Sequence, residues 1–190
     1  MSLKNSNTTS DYLEFDSVLN KSMKLLKTDE KKFKIAFLSI IGINMGLRIS
    51  DILKLKHQDL KSDNIILTEQ KTKKRREIRI NDNVKTAYKI YCERFGIVSD
   101  DEFLFVSQKG VVFSVRHVNR LLKEVFGTKS KNVSSHSLRK TFGRKVWEND
   151  NCSERSLILL SKMFNHTSPS ITRIYLGLQQ EELDNIYLSL

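Results

Sequence analysis

Apolar residues recur every three or four positions along most of the chain, the spacing that puts them on one face of an α-helix. The pattern predicts helices at 11–26, 31–45, 49–55, 83–94, 115–126, 138–148, 154–163 and 179–188, and a short helix or turn at 168–175. Four residues that cap helices well lie just before predicted helices, namely Thr28, Asp82, Ser114 and Ser153. The chain is therefore predicted to be mainly helical.

Short runs of β-branched and alternating residues add a small amount of predicted sheet. Residues 64–70 and 77–80 are the two strands of a predicted hairpin, and residues 103–106 are a third short strand. The tip of the hairpin is strongly basic, with the sequence Lys-Thr-Lys-Lys-Arg-Arg at 71–76. We therefore expect a mainly α protein with a small antiparallel three-stranded β-sheet, an α+β fold.

The length of 190 residues suits a single domain, which we place at residues 11–178. Residues 1–10 are polar and are predicted to be a flexible N-terminal segment, and residues 179–190 form a C-terminal helix with an apolar stripe. The most apolar run, residues 35–47, is too short to span a bilayer. It predicts a buried helix, and we expect no association with a membrane.

The net charge indicates what kind of partner the protein binds, and the cysteine content indicates the cellular compartment. Lys and Arg outnumber Asp and Glu by 33 to 22, and a formal charge of +11 favours an anionic partner. The two cysteines, Cys92 and Cys152, are far apart in sequence and form no Cys-x-x-Cys motif. This pattern predicts neither a disulfide framework nor a zinc site, and it favours the reducing cytoplasm.

Four short segments carry residues suited to chemistry. They are Gly-Leu-Arg-Ile-Ser-Asp at 46–51, the basic hairpin tip with Lys71, His-Ser-Leu-Arg at 136–139, and a segment with His166 and Tyr175. Each is weak alone, because an isolated arginine is usually a surface charge and a tyrosine near a C-terminus usually packs against the core. Their combination is more informative than any member.

Together these residue types match the needs of breaking a phosphodiester bond. Two arginines, Arg48 and Arg139, suit the non-bridging oxygens, because guanidinium groups stay charged and match phosphate geometry. Histidine moves protons near neutral pH. A lysine among cationic neighbours has a lowered pKa and acts as an acid, and Tyr175 supplies a nucleophilic hydroxyl.

The sequence offers little support for a metal or a nucleotide cofactor. Carboxylates are scattered, and no Asp-x-Asp or Asp-x-Glu pair lies beside the motifs. A two-metal nuclease is therefore disfavoured. No Gly-x-x-x-x-Gly-Lys-Ser/Thr loop is present in the sequence, which argues against an ATP site. We expect neither a metal nor another cofactor.

The order and spacing of these motifs resemble the catalytic domain of the tyrosine recombinases, the phage integrase family, from about residue 30 to 180. The resemblance implies that domain's fold and a role for each matching residue. Arg48 and Arg139 match the phosphate clamp, His136 the general base or proton shuttle, and His166 the second histidine. Tyr175 matches the nucleophile that forms a 3′-phosphotyrosine and releases a 5′-hydroxyl. Lys71 matches the lysine that protonates the leaving oxygen, with Lys73 as its close rival.

The resemblance also implies supporting residues, and two positions depart from it. Asp51 matches an acidic residue that supports the site, and we expect Lys73, Lys74, Arg75, Arg76 and Lys140 to contact DNA. Lys140 stands where the family often has His, and Asn165 where it usually has Gly. Few residues precede the core, where the family usually has a DNA-clamping domain. We therefore expect a fragment of a longer integrase, with a naturally short recombinase as the alternative.

The implied function is site-specific recombination of double-stranded DNA by a chain that is monomeric alone and tetrameric on DNA. Integration of a mobile element is favoured over inversion and resolution, and the target sequence is not encoded in any motif. Two alternatives stay open, a type IB topoisomerase-like enzyme and a non-catalytic DNA-binding module of the same fold. The C-terminal helix either folds back on its own domain or docks on a neighbouring protomer.

Overall fold

The computed structural model describes residues 10–71, 73–96 and 99–190, so the predicted flexible segment lies almost entirely outside the described residues. The helices are α1 (Phe15–Thr28), α2 (Phe33–Met45), α3 (Ile49–Ile52), α4 (Asp82–Phe95), α5 (Val115–Phe126), α6 (Ser135–Asn149), α7 (Glu154–Phe164), α8 (Pro169–Leu176) and α9 (Leu178–Leu188). The strands are β1 (Asn64–Thr68) and β2 (Arg75–Arg79), and one 3₁₀ turn spans His57–Leu60. In the described ranges, no helix has the length and apolar character needed to cross a bilayer.

Helix α2 is the centre of the main hydrophobic core. Ten of its 13 residues are buried, as its nearly unbroken apolar sequence predicts. Helices α1, α4 and α6 pack around it, and the amphipathic helix α5 adds a further contact. Because α2 is enclosed by other helices, the core fixes the position of its C-terminal end, from which the first sequence motif follows.

Gly46 ends α2 in a left-handed conformation, with φ of 59°. A Cβ atom at this position would come within 2.3 Å of the Phe142 ring. Glycine is therefore required here both by the backbone and by the close approach of α6. The turn directs the chain away from α2, so that Arg48 stands at the N-cap of α3.

A second, smaller core joins α7 and α8 to α6. Its fully buried members are Leu157, Leu160, Phe164, Leu176 and Leu178. Gly143 of α6 makes the close contact possible, because a Cβ atom there would lie 2.6 Å from a methyl group of Leu176. Helix α8, which carries Tyr175, therefore lies directly against the helix that carries the His-x-x-Arg motif.

The prediction of a third strand is not confirmed for the described residues. β1 and β2 form an antiparallel pair in which Ile65 faces Ile78 and Thr68 faces Arg75. Phe103 and Val106 each make only a single bridge, to Lys56 and Val112 respectively. Leu104 and Phe105 are fully buried. Residues 104–106 of the apolar run are therefore buried while Phe103 is exposed, and the run does not extend the two-stranded sheet.

Local hydrogen bonds confirm two of the predicted helix caps and correct the others. Ser114 and Ser153 each accept a backbone N–H at the start of α5 and α7. Asn81, one residue before the predicted Asp82, caps α4. Thr28 does not cap α2, because it is the last residue of α1 and its hydroxyl donates to the carbonyl of Lys24.

Helix α9 is attached to the domain at its beginning. Leu178 is buried, and Arg144 of α6 makes two hydrogen bonds to the Glu181 carboxylate, at 2.7 and 2.5 Å. Arg173 of α8 pairs with Glu182. The apolar side chains farther along are exposed, namely Leu183, Ile186, Tyr187, Leu188 and Leu190. An apolar stripe is thus left uncovered in the single chain.

Candidate active site

An open cleft of about 360 Å³ brings the sequence motifs together. Its walls come from the start of α3, the hairpin turn, the first turn of α6, the loop between α7 and α8, and α8 itself. The six residues predicted to be catalytic all line it, namely Arg48, Lys71, His136, Arg139, His166 and Tyr175. The fold therefore gathers side chains that are up to 127 positions apart in sequence, from 48 to 175.

The two arginines converge on one oxygen atom. The Nη2 groups of Arg48 and Arg139 donate to the carbonyl oxygen of Phe164, at 3.0 and 3.2 Å respectively. The Nη1 group of Arg48 donates to Glu69, and that of Arg139 donates to the Gly46 carbonyl at 2.6 Å. Two positive groups that share one acceptor form a preorganised site for an anion.

The two guanidinium groups differ in exposure. Arg139 is only 5% exposed, and its guanidinium lies 4.2 Å from the centre of the Phe164 ring. Burial lowers the pKa of Arg139 to about 10, so the group stays charged at neutral pH. The Arg48 side chain is 20% exposed. Arg139 thus forms the floor of the cleft, and Arg48 is the more accessible arginine.

Both histidines of the cleft have a lowered pKa. His136 lies in the first turn of α6, and His166 lies between α7 and α8, where its Nδ1 shares a hydrogen bond with the Thr172 hydroxyl at 2.9 Å. Partial desolvation and the positive charges of Arg139 and Arg48 lower the pKa of each ring, with Lys140 contributing at His136. Both rings are therefore neutral at pH 7 and able to accept a proton.

The Tyr175 hydroxyl is enclosed in the cleft wall and has no hydrogen-bond partner among the described residues. The ring packs edge-on against Phe164 and His166, with centroids 5.7 and 5.2 Å apart. Burial raises the pKa of Tyr175 to about 12, while Arg139 and Arg48 act in the opposite direction. A buried polar group without a partner is uncommon and marks a candidate functional atom.

The hairpin contributes Lys71 to the cleft, whereas Lys73 is not among the residues that line it. The residue between them, Thr72, lies outside the described residues. Lys73 has a left-handed backbone, with φ of 58°, and its amide donates to the Glu69 carbonyl. This arrangement favours Lys71 over its rival as the predicted general acid.

Asp51 connects α3 to the hairpin. Its side chain is buried, and Oδ1 accepts the backbone N–H of Gln70 at 2.9 Å. Gln70 directly precedes Lys71 in the chain. The contact therefore fixes the backbone beside Lys71, in accordance with the supporting role that the sequence predicts for Asp51.

The residues predicted to contact DNA fall into two groups. Lys73, Lys74 and Arg75 are exposed on the hairpin, and Lys74 also donates to the Asn165 side chain at 2.8 Å. Arg76 instead donates to Glu69 and to the Met163 carbonyl. Lys140 is buried, with its ammonium group 5.3 Å from the centre of the Tyr175 ring. DNA contact stays a prediction for the first group, and these placements do not favour it for Arg76 and Lys140.

Glu69 is a site residue that the sequence interpretation missed. It follows β1, is 2% exposed, and forms ion pairs with both Arg48 and Arg76. Its residue type and its neighbours do not distinguish it from the surface glutamates. The one available signal was its position two residues before Lys71, a predicted site residue. Within the described ranges, no three His, Cys, Asp or Glu side chains are grouped to hold a metal ion.

Comparison with known sequences identifies one family. The profile of the Phage integrase family matches residues 13–182. The probable integrase/recombinase YoeC of Bacillus subtilis strain 168 is 35% identical over 148 residues, which cover 76% of this chain and 78% of YoeC. The tyrosine recombinase XerC of Caldanaerobacter subterraneus is 30% identical over 173 residues, 87% of this chain. The aligned part is 48% of that XerC, so the chain spans about half of this relative.

Solved structures agree on the fold. The Tn1549 transposon integrase, in complex with transposon right end DNA, superposes with a TM-score of 0.64 and 17% sequence identity. The match covers 97% of this chain and 68% of the integrase chain. At this low identity the likeness concerns the fold alone.

We expect the charge of Arg48 to be visible in the titration of the cleft histidines. In the Arg48→Gln variant the pKa values of His136 and His166 should both rise, because a positive neighbour of each ring is removed. His57 is an internal control, since its lowered pKa arises from burial and from charges other than Arg48. Histidine ring NMR measures all three, and an equal shift at His57 would contradict the assignment.

The same lowered pKa values predict that the free energy of unfolding decreases as the pH falls. The folded protein disfavours protonation of His136 and His166. Their contribution to the free energy of unfolding is therefore complete above about pH 6.5, and it is lost as the pH falls through their pKa values in the folded state. Chemical unfolding at several pH values measures the effect. A free energy of unfolding that rises on acidification in this range would contradict it.

Proposed function

The chain belongs to the phage integrase family, and from that premise we propose that it is a site-specific DNA recombinase that cuts and rejoins strands through Tyr175. The observation that carries the proposal is the convergence of the Arg48 and Arg139 guanidinium groups in the cleft that encloses the Tyr175 phenol. A phosphodiester has two non-bridging oxygens for such a pair of donors. The net charge of +11 and the basic hairpin support a nucleic acid as the ligand.

In the proposed cleavage step, the Tyr175 oxygen attacks the phosphorus and the bond to the 5′ oxygen breaks. The phenol proton passes to a neutral histidine, for which His136 is the candidate, and Lys71 gives a proton to the leaving oxygen. His166 and the two arginines hold the non-bridging oxygens and stabilise the charge of the transition state. The products are a 3′-phosphotyrosine and a 5′-hydroxyl.

Ligation is the reverse step on a different strand. A 5′-hydroxyl from the partner duplex attacks the phosphotyrosine, which restores the phosphodiester and frees Tyr175. Since the covalent bond conserves the energy of the broken one, the reaction needs no ATP, and the positive side chains of the cleft take the place of a metal ion. We expect the protein to act in the cytoplasm, where the unpaired thiols of Cys92 and Cys152 stay reduced.

Among biological settings we favour integration of a mobile element, and a homotetramer on DNA as the working assembly. The exposed apolar stripe of α9 supports docking on a neighbouring protomer, because large apolar side chains in one row favour a protein partner. The start of α9 is already held in its own domain by Leu178 and Glu181. The exchanged part would therefore be residues 183–190.

We expect Tyr175→Phe to abolish covalent attachment to DNA and to leave DNA binding within about twofold, because only one hydroxyl is removed. Nicked duplexes with randomised sequence around the nick trap the adduct, which is seen as labelled protein on a denaturing gel. Tyr187→Phe is the matched control, since its exposed ring lies on α9 outside the cleft. Binding without any wild-type adduct would favour a non-catalytic module, and plasmid relaxation without strand exchange would favour a topoisomerase-like enzyme.

Lys71→Ala should slow cleavage by about 100-fold, within the usual range for loss of a general acid. Lys73→Ala, which removes the same charge from an exposed position outside the cleft, should change the rate less than about threefold. Single-turnover adduct formation measures both rates. The reverse order of effects would transfer the acid role to Lys73.

Deleting residues 183–190 should weaken assembly on DNA while the monomer stays folded, because the deletion retains Leu178 and Glu181. Native gels or light scattering of the DNA complex report its size. Charge reversal at the exposed Lys89 on α4 is a control that leaves the apolar stripe intact. Full-sized complexes formed by the truncated chain would argue that α9 does not dock in trans.

A further inference from the structure

We propose that Glu69 is a positioning residue, whose carboxylate orients Arg48 for the DNA phosphate and ties the hairpin to the end of α7. The inference rests on the proposed function and adds a residue to its machinery. We assign Glu69 no direct contact with Tyr175 or with the DNA phosphate. Its effect is transmitted through Arg48 and Arg76.

The burial of Glu69 indicates a specific role. Glu69 is only 2% exposed, and a carboxylate buried to this degree is strongly disfavoured unless it is paired and hydrogen-bonded. Here one oxygen accepts from Arg48 and the other from Arg76, both at 2.7 Å. The pairing compensates the burial and at the same time fixes two guanidinium groups relative to one another.

The two arginines carry the constraint from the hairpin to α7. Arg76 donates to the carbonyl of Met163 at 2.9 Å, and Arg48 donates to the carbonyl of Phe164 at 3.0 Å. These are consecutive carbonyls at the C-terminal end of α7, where positive groups are favourable. The next residues are Asn165 and His166, so the same contacts set the beginning of the loop that holds the second histidine.

The geometry leaves Arg48 able to bind a ligand. A guanidinium has five N–H donors, and the bonds to Glu69 and Phe164 use two of them. Fixing both Nη atoms defines the plane of the fork and therefore the direction of its other donors. Preorganised donors stabilise a developing charge better than mobile ones, because the protein does not reorganise during the reaction.

A purely structural role of Glu69 and a positioning role predict different effects of its substitution. If Glu69 only stabilised the fold, its loss would reduce thermal stability, DNA affinity and cleavage together. If Glu69 orients Arg48, its loss would slow cleavage while affinity is kept or increased, because the cleft gains net positive charge. The two interpretations therefore differ in the sign of the change in DNA affinity.

The test compares Glu69→Gln with Glu77→Gln. Glu77 lies on β2 of the same hairpin, is exposed, and contacts Asn64 rather than an arginine of the cleft. We expect Glu69→Gln to slow adduct formation about 100-fold, as small misplacements of catalytic groups do, with DNA affinity equal to or above that of the wild type. Glu77→Gln should cleave at the wild-type rate. An unchanged rate for Glu69→Gln, or a parallel loss of affinity and rate, would overturn the proposal.

A second variant and an NMR measurement test the proposal if Glu69→Gln does not fold or if no adduct forms. If Glu69→Gln does not fold, Glu69→Asp keeps the charge but shortens the reach, and it should cleave about tenfold more slowly with unchanged affinity. If the wild type forms no adduct, the proposed function is wrong, but the positioning role of Glu69 is still open to test. Positioning is then measured without activity, as hindered rotation of the Arg48 guanidinium in ¹⁵N NMR that is lost in Glu69→Gln. Free rotation of Arg48 in the wild type would overturn the proposal.

Discussion

The carbonyl oxygen of Phe164 is the atom on which this site depends. It accepts hydrogen bonds from both Arg48 and Arg139, which belong to separate parts of the chain and repel each other electrostatically. Such a pair can share one cleft only if acceptors offset the repulsion, and the end of α7 supplies them together with the Glu69 carboxylate and the Gly46 carbonyl. The contacts of α3, the hairpin, α6 and α7 within the cleft therefore form one connected polar network.

The sequence was most informative where chemistry and spacing are local. The helical periodicity located the helices to within a few residues, and the motifs named six side chains that the fold brings into one cleft. The strand prediction at 103–106 was not confirmed, because a short continuous apolar run is equally compatible with a strand and with a core segment that makes only isolated bridges. Likewise, no pattern indicated that Glu69 and Lys140 are buried, since burial of a charge depends on partners distant in sequence.

The ionisation of the cleft follows from its balance of burial and charge. Burial raises the pKa of Tyr175 to about 12, which protects the phenol from ionising at rest, while the two arginines favour the phenolate. Partial burial and the same two arginines lower the pKa of both histidines. The positive charges thus act on both kinds of group: they favour the neutral form of the two histidines and the ionised form of the phenol.

The way in which α9 is attached has a mechanical consequence. The residues that attach it to the domain, Leu178, Glu181 and Glu182, all lie within its first five positions. Beyond them the helix has little tertiary support, so its distal turns can fray and re-form at low free-energy cost. The ion pairs of Arg144 with Glu181 and of Arg173 with Glu182 hold the start of the helix, so fraying is limited to the turns beyond Glu182.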